Sequence, residues 1–394
     1  MIEAVVDVQE DRGQTIQALL RRLLEQGAVD ALLVPMRLSA GTVAPMVVRD
    51  ADALAQANPL APVLPINAAR AASQLTMTGH RQRLGVVLRA CEIRALVELV
   101  KFQQASLDNC VIVGIDCLGT YSVTDWQAVT DQEGARAALL SGAVTGALAP
   151  QEGLAFRAAC QMCEQPVPEG EHVALTIGLL GVEPGQVYLR VQEEATAGRG
   201  EVSSPGQVPA SRPSLVEALG LTPGAAPAGR AAAVEKLVAA RMQARDAAFA
   251  AFRERVVGMD GLLSEFSTCI RCHNCMINCP ICYCRECIFR TPTFEHESEL
   301  YYQWAERKGT VRMLPDTLLF HLTRLNHMVT SCVGCGLCTD ACPVEIPVGT
   351  VFRTVGDKVQ ALFDYHPGRS LAEAAPVQEF REEELTALGE RTHS

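Results

Sequence analysis

The chain lacks any uninterrupted apolar run approaching the roughly 18–20 residues of a bilayer-crossing helix, so no direct membrane span is expected. It also lacks a basic excess. With 34 Lys and Arg against 45 Asp and Glu, its net charge is −11, which argues against nucleic acid as a partner. The opening "MIEAVVDVQEDRGQTIQ" carries acids early and has no basic start followed by an apolar core. No export signal is read there, and a cytoplasmic location is expected. No Ser-His-Asp order and no phosphate-binding glycine loop ending in Lys-Ser or Lys-Thr occurs, which removes hydrolytic and phosphoryl-transfer chemistry. What remains is an ordinary globular balance, 48% hydrophobic and 20% charged, over 394 residues. That length suggests two or three domains with real cores.

Cysteine is abundant. Sixteen cysteines in a reducing compartment are poor disulfide candidates and better metal ligands, and eleven of them lie after residue 268. Cys269, Cys272, Cys275 and Cys279, followed by Pro280, spell C-x2-C-x2-C-x3-C-P. Cys332, Cys335, Cys338 and Cys342, followed by Pro343, repeat that spacing. Three thiolates at two-residue intervals let one tight loop wrap three corners of a [4Fe-4S] cubane. Gly334 and Gly336 suit a backbone that must approach a cluster closely. Structural zinc also uses C-x2-C pairs, but it needs neither a third cysteine at the same interval nor a proline after the fourth. Cys282, Cys284 and Cys287 are left over. They could serve a further metal, but read better as spare thiols beside the clusters or as alternates for Cys279. His273, inside the first run, could tune a cluster or be an exposed loop residue.

Between the runs, "SELYYQWAERKG" and "LPDTLLFHLTRLNHMV" both predict helices. In the second, Leu318, Leu319, Leu322 and Leu325 recur at helical intervals, with Asp316 placed to support the first turn. Residues 263–352 thus resemble the all-helical ferredoxin modules of succinate dehydrogenase and heterodisulfide reductase. The resemblance implies that Cys269, Cys272, Cys275 and Cys342 hold one cubane, and Cys332, Cys335, Cys338 and Cys279 the other.

The N-terminal part alternates helix and strand. "TIQALLRRLLEQG" puts Ile16, Leu19, Leu20, Leu23 and Leu24 on one helical face and stops at Gly27. "VDALLVPM" reads as a short buried strand; "RLGVVLRACEIRALVELVKFQQ" reads as strand, Cys91, helix; "NCVIVGIDCLGTY" is a buried strand with Cys117 just past its end. This pattern predicts an α/β domain with a largely parallel sheet, in which ligands sit beyond the carboxyl ends of the strands. Cys160 and Cys163 add a C-x2-C pair, and Cys110, inside a strand, reads as core.

The order "RACEIRAL", "VGIDCLGTY", "CQMCEQPVPEGEHVALTIGLLG" resembles the β-subunit family of coenzyme F-420 reducing hydrogenases and formate dehydrogenases, over about residues 13–250. The resemblance implies a [4Fe-4S] cluster on Cys91, Cys117, Cys160 and Cys163 beside an FAD. By the same resemblance Gly13 and Thr15 in "RGQT", Asn67 in "PVLPIN", and Gly178 and Gly181 in "TIGLLG" face the flavin. Where that family has a glycine pair, this chain has Arg12 and Gly13. No catalytic residue is assigned.

These readings give an α/β flavin and [4Fe-4S] domain at 1–191 and a Gly/Pro/Ala/Ser-rich linker at 192–230 with one short helix near 214–219. A connecting helix follows at 231–262, then an all-α two-cluster ferredoxin domain at 263–362. The tail, 363–394, is expected to be an exposed helix or a subunit contact. The expected function is that of the electron-transfer subunit of a cytoplasmic oxidoreductase complex with three [4Fe-4S] clusters and an FAD. Its substrate site would lie on a partner chain of formate dehydrogenase, hydrogenase or heterodisulfide-reductase type. A hydride carrier, deazaflavin or NAD(P)H, could meet the flavin. A heterodisulfide-reductase-like component and a stand-alone deazaflavin- or NAD(P)H-oxidising flavoprotein are the alternatives.

Overall fold

Three six-residue segments, Leu84–Arg89, Cys110–Ile115 and Val173–Gly178, are buried at every position, as strands covered on both faces must be. They form the middle of a seven-stranded sheet in the computed structural model, which describes residues 1–79, 81–192, 212–376 and 378. The strands are β1 (Ile2–Asp7), β2 (Ala31–Arg37), β3 (Val43–Val48), β4 (Leu84–Arg89), β5 (Cys110–Ile115), β6 (Val173–Gly178) and β7 (Gln186–Val191). They are ordered β1-β7-β6-β5-β4-β2-β3. The sheet is mixed rather than largely parallel. Strands β6, β5, β4 and β2 run parallel, while β1, β7 and β3 join antiparallel at the edges. Short turns join β2 to β3 and β6 to β7, and such turns permit only antiparallel pairing; the central strands are linked by helical crossovers.

One face of the sheet carries the helix Arg12–Glu25. Its Ile16, Leu19, Leu20 and Leu23 pack on Leu32, Val34, Val87, Val113 and Ile177. Asp11 caps this helix, accepting from the amides of Gly13 (2.5 Å) and Gln14 (3.1 Å). The other face presents Leu33, Val86, Leu88 and Ile112, the alternate residues of the same strands, to Ile93, Leu96 and Leu99 of the helix Ala90–Lys101. That second core does not stop at the helix. It continues through Phe252 and Phe266 into Cys275, Met276, Phe320, Val348 and Phe352, so the cysteine-rich region and the sheet share one core.

Beyond β7 the principal elements are helices: Leu215–Leu219, Arg230–Arg255, Gly258–Glu265, Ser298–Lys308, Thr317–Met328 and Val348–Leu362. The short helix expected near 214–219 is present, with a capping box between Ser214 and Glu217. The expected connecting helix is two helices, broken after Arg255 ahead of Gly258, whose φ is +67°. Most of the Gly/Pro-rich segment (193–211) and the tail from 379 lie outside the described residues. The start of the tail is docked rather than exposed: Tyr365 is buried and its hydroxyl donates to Glu98 Oε1 (2.6 Å), which also accepts from Gly368 N (2.8 Å). No helix among the described residues is long and apolar enough to cross a membrane.

Candidate iron–sulfur sites and cavity

Cys91 opens the helix Ala90–Lys101, and Cys117 lies two residues past β5. Cys160 sits in the short helix Ala158–Gln161, with Cys163 just beyond it. The backbone holds this set tightly. Cys117 N donates to Pro166 O (2.8 Å), Cys160 N to Arg157 O (2.8 Å), and Thr120 Oγ1 lies 3.1 Å from Cys160 Sγ. Burial pushes the Cys91 thiol well up, and Glu92, Cys117, Cys335 and Cys163 add to it. Burial also raises Cys117, against Arg89, with Cys160 and Cys163 contributing. Cys91 and Cys117 are thus neighbours, with Cys163 near both, Cys160 near Cys117, and Cys335 of the second C-terminal run near Cys91.

The two cysteine runs share a backbone device. Arg271 and His273 in the first run have φ of +55° and +63°; Gly334 and Gly336, at the same steps of the second, have +70° and +74°. Left-handed residues at both steps turn backbone amides inward around the thiols. Arg271 N and Ile346 N point at Cys269 Sγ and Cys342 Sγ, each at 3.4 Å. Glycine adopts this conformation freely; arginine and histidine hold it at a cost.

The thiols sort into two further sets. Burial raises Cys269, with Cys342 and Cys272 adding, and pushes Cys275 up to about 11, with Cys269, Cys342 and Cys272 adding. Burial pushes Cys279 up to about 12, where Cys335 and Cys332 contribute. Cys338 is raised well above the usual thiol range by burial, then by Cys279 and Cys335. The last cysteine of each run thus lies with the first three of the other. Among the described residues no three Cys, His, Asp or Glu side chains converge closely enough to hold a single metal ion. Of the twelve thiols in the three sets all are buried or half-buried except the exposed Cys272, and four thiols per set is the ligand number of a four-iron cubane. Cys282 neighbours Cys284, Cys287 and, through Cys279, the second cage. Cys110 lies away from all three sets, and burial alone pushes it up to about 12.

Side chains that the spacing did not reveal line these cages. The helix Thr317–Met328 turns Phe320, His321, Arg324 and Met328 inward, while Leu319 is 52% and Leu322 37% exposed. The leucine stripe is therefore split, with Leu318 and Leu325 packed against the core and Leu319 and Leu322 outward, because this helix packs against thiols as well as hydrocarbon. His321 Nε2 is 3.3 Å from Cys269 Sγ, and its ring stacks on Phe266. Burial, with Arg324 adding, holds the His321 imidazole neutral, pushed down to about 3. Arg324 Nη1 donates to Cys275 Sγ (3.1 Å). His273 packs against the Phe320 ring, and Asp316 pairs with Arg271 instead of capping the helix.

Three arginines stitch the second run to the sheet domain. Arg157, 5% exposed, donates to Cys335 O (2.8 Å) and Thr120 Oγ1 (3.2 Å) and pairs with Asp340. Arg353 donates to Met162 O (2.8 Å) and to Glu164 (2.7 Å), and Arg94 donates to Val333 O (2.8 Å). Gly336 lies so close that a Cβ there would stand 2.3 Å from Ala159 Cβ.

The residues expected around a flavin do not all meet. Gly13 lines a cavity of about 390 Å³ together with Gln17, Arg37, Asn58 and Arg136, and Thr15 lies on the same helix, its hydroxyl donating to Asp11 O (3.0 Å). A narrower cavity, sharing Pro59 and Arg136, continues past Arg89 to Gly119, next to the Cys117 loop. Asn67 is turned elsewhere: it is buried near Cys335, its Oδ1 accepts from Ala69 N (3.0 Å), and its Nδ2 has no hydrogen-bond partner. Gly178 and Gly181 are covered by Arg230 and Gly229. The amides of Leu179 and Leu180 are taken by the Asp116 carboxylate (2.8 and 3.0 Å), which Arg230 neutralises, so this turn is satisfied internally. Arg12, in the place of a glycine, ties the helix start to the carbonyls of Val182, Glu183 and Gln186.

Comparison with known proteins agrees with the cysteine geometry. Residues 265–346 match a family described as a 4Fe-4S dicluster domain. The chain is 26% identical over 309 residues to the F420-dependent formate dehydrogenase subunit beta of Methanocaldococcus jannaschii, covering 73% of this chain and 74% of that protein. It is 25% identical over 392 residues to the F420-dependent formate dehydrogenase 1 subunit beta of Methanococcus maripaludis, covering 90% of each. A chain of the F420-reducing [NiFe] hydrogenase complex from Methanosarcina barkeri superposes with a TM-score of 0.41 at 13% identity, over 66% of this chain and 94% of that one. The resemblance read from the sequence is thus to proteins that are homologues over most of the chain.

Proposed function

We propose that this chain is the electron-transfer (beta) subunit of an oxidoreductase complex of the F420-dependent formate dehydrogenase or hydrogenase type, with three [4Fe-4S] clusters and an FAD. The relatives' names supply the class. The observation that carries the reading is the junction at Arg157, which joins the Cys160 side of one cysteine set to the Cys335 backbone of the next. Arg324 joins the remaining pair of sets in the same way. The order is then cavity, strand-end set, second-run set, first-run set, and finally the surface at Cys272, which is exposed beside Ile270.

When bound, a flavin takes up two electrons as hydride and releases them singly, and iron–sulfur clusters carry one electron at a time. The residues that would hold the flavin are Gly13 and Thr15 at the helix start, with Arg37 and Arg136 facing its diphosphate across the larger cavity. Arg89 and Gly119 would bring its far end toward Cys117. Gly178 and Gly181, covered by Arg230 and Gly229, take no part in this cleft. The wide mouth at Gln14 and Gln17 would admit a deazaflavin or NAD(P)H hydride carrier. The exposed edge at Ile270, Ile277 and Ile288 would meet the catalytic subunit. Buried thiols and aromatic rings keep water from the inner sets, which protects the clusters from loss and lets hydrogen bonds set their potentials.

The test is iron, zinc and flavin per chain after anaerobic purification. About twelve irons, from three four-iron clusters, with one flavin is the expected result, followed by rapid bleaching of the flavin on adding reduced deazaflavin. About eight irons without flavin would leave only the dicluster region standing, and zinc in place of iron would end the electron-transfer reading.

A further inference from the structure

Arg324 is out of keeping with its surroundings. It is 3% exposed in the middle of the helix Thr317–Met328, where burying a guanidinium is costly unless something offsets its charge. The groups placed to offset its charge are thiols, those of Cys275, Cys279, Cys338 and Cys282, rather than a carboxylate. Nη1 and Nη2 both reach Cys275, at Sγ (3.1 Å) and at the carbonyl (3.0 Å). Its Nε is buried without a partner. The rings of Phe320 and Phe352 flank the guanidinium carbon at 5.6 and 5.1 Å and fix its position. Neutral thiols would not repay such a burial; the negative charge of bound clusters would.

We propose that Arg324 is a positioning and counter-charge residue shared by two clusters. It is hydrogen-bonded to Cys275 of the Cys269/Cys272/Cys275/Cys342 set, with Phe352 of the helix that follows the second run against its guanidinium. Its charge also acts on Cys279 and Cys338 of the Cys279/Cys332/Cys335/Cys338 set. It makes both clusters easier to reduce. The inference rests on the iron–sulfur reading above. Each cluster gains one negative charge when it accepts an electron from a donor, and a fixed cation beside both favours the reduced form of each. Hydrogen bonds to cluster sulfurs and nearby charge are the levers by which a protein sets these potentials. Arg157 does not duplicate the role, since Asp340 pairs with it.

The test uses the full chain, purified anaerobically, with Arg324→Met and Arg324→Lys. Iron per chain is measured first, and then the clusters are titrated with redox mediators and followed by EPR. With iron retained, Arg324→Met is expected to lower the reduced-to-oxidised ratio of two of the three cluster signals at least tenfold at a fixed potential, equivalent to about 59 mV for one electron. The third signal should move much less, and Arg324→Lys should recover most of the change. Unmoved ratios at full iron would overturn the proposal. If the methionine variant loses iron, the unmodified protein decides. With isotope-labelled arginine, pulsed EPR of the reduced protein should detect a guanidinium nitrogen coupled to a cluster spin, and no such coupling would overturn the proposal. A parent chain without iron would instead defeat the iron–sulfur reading itself.

Discussion

Gly336→Ala should loosen the seam between the second cysteine run and the sheet domain, and its size can be worked out from two separate sources. The residue has φ +74°, which costs an L-amino acid about 1–2 kcal/mol. Its new Cβ would stand 2.3 Å from Ala159 Cβ, and relieving such an overlap costs typically about 1–3 kcal/mol. The sum is centred at about 3.5 kcal/mol, or roughly three-hundredfold in an opening equilibrium. The assay is the rate at which the anaerobic, iron-loaded chain loses its brown absorbance in guanidinium. Ala159→Gly removes the second source and leaves the first. Gly336→Ala should therefore bleach the protein roughly three-hundredfold faster in the parent, but only about tenfold faster in the Ala159→Gly background. Equal acceleration in both backgrounds would refute the contact between Gly336 and Ala159. No acceleration in either would refute the left-handed turn as well.

Three further outcomes are expected. Burial pushes the His172 imidazole down to about 4, and both of its ring nitrogens are buried without partners. The unfolded chain then binds a proton that the native one refuses, so stability present above pH 6.5 should fall by about 3 kcal/mol as pH drops toward 4. Thermal melts of the parent against His172→Phe across that range check this, since the variant should lose the slope contributed by His172. Arg230→Met leaves the buried Asp116 carboxylate with only the two amides of Leu179 and Leu180, and should cost about 3–5 kcal/mol in urea unfolding. Cys275→Ala should remove about four irons per chain, whereas Cys110→Ala, at the start of β5, should leave the iron content unchanged.

The two C-terminal cysteine runs were legible because ligand spacing is dictated by the object held, whatever fold surrounds it. The strand-end set needed the family resemblance, since Cys91, Cys117 and the Cys160/Cys163 pair are spread over three connections and each alone could be a small core residue. Which face of the helix Thr317–Met328 points inward was not legible, for a definite reason. Hydrophobic periodicity assumes that the inside is hydrocarbon, and here the inside includes thiols, so His321 and Arg324 point in while Leu319 and Leu322 point out. The pattern Phe320, His321, Arg324, Met328 was present at helical spacing, but its polar members disguised it. The antiparallel edges were hidden because an apolar run does not state its direction. Asp116 concealed the nature of the turn at Gly178 and Gly181: only the fold reveals that a carboxylate from the neighbouring strand end already occupies its amides.

The seam closed by Arg157 has a consequence for how the chain is made. Cys91, Cys117, Cys160 and Cys163 all leave the ribosome well before the Cys335 carbonyl and Asp340, to which Arg157 is anchored. Until that later stretch is translated and folded, the earlier set has no lid. Under the proposed reading, synthesis therefore opens an interval in which the N-terminal thiols stand uncovered, and completion of the C-terminus covers them. A chain truncated before residue 332 should then hold any N-terminal iron more loosely than the full chain does.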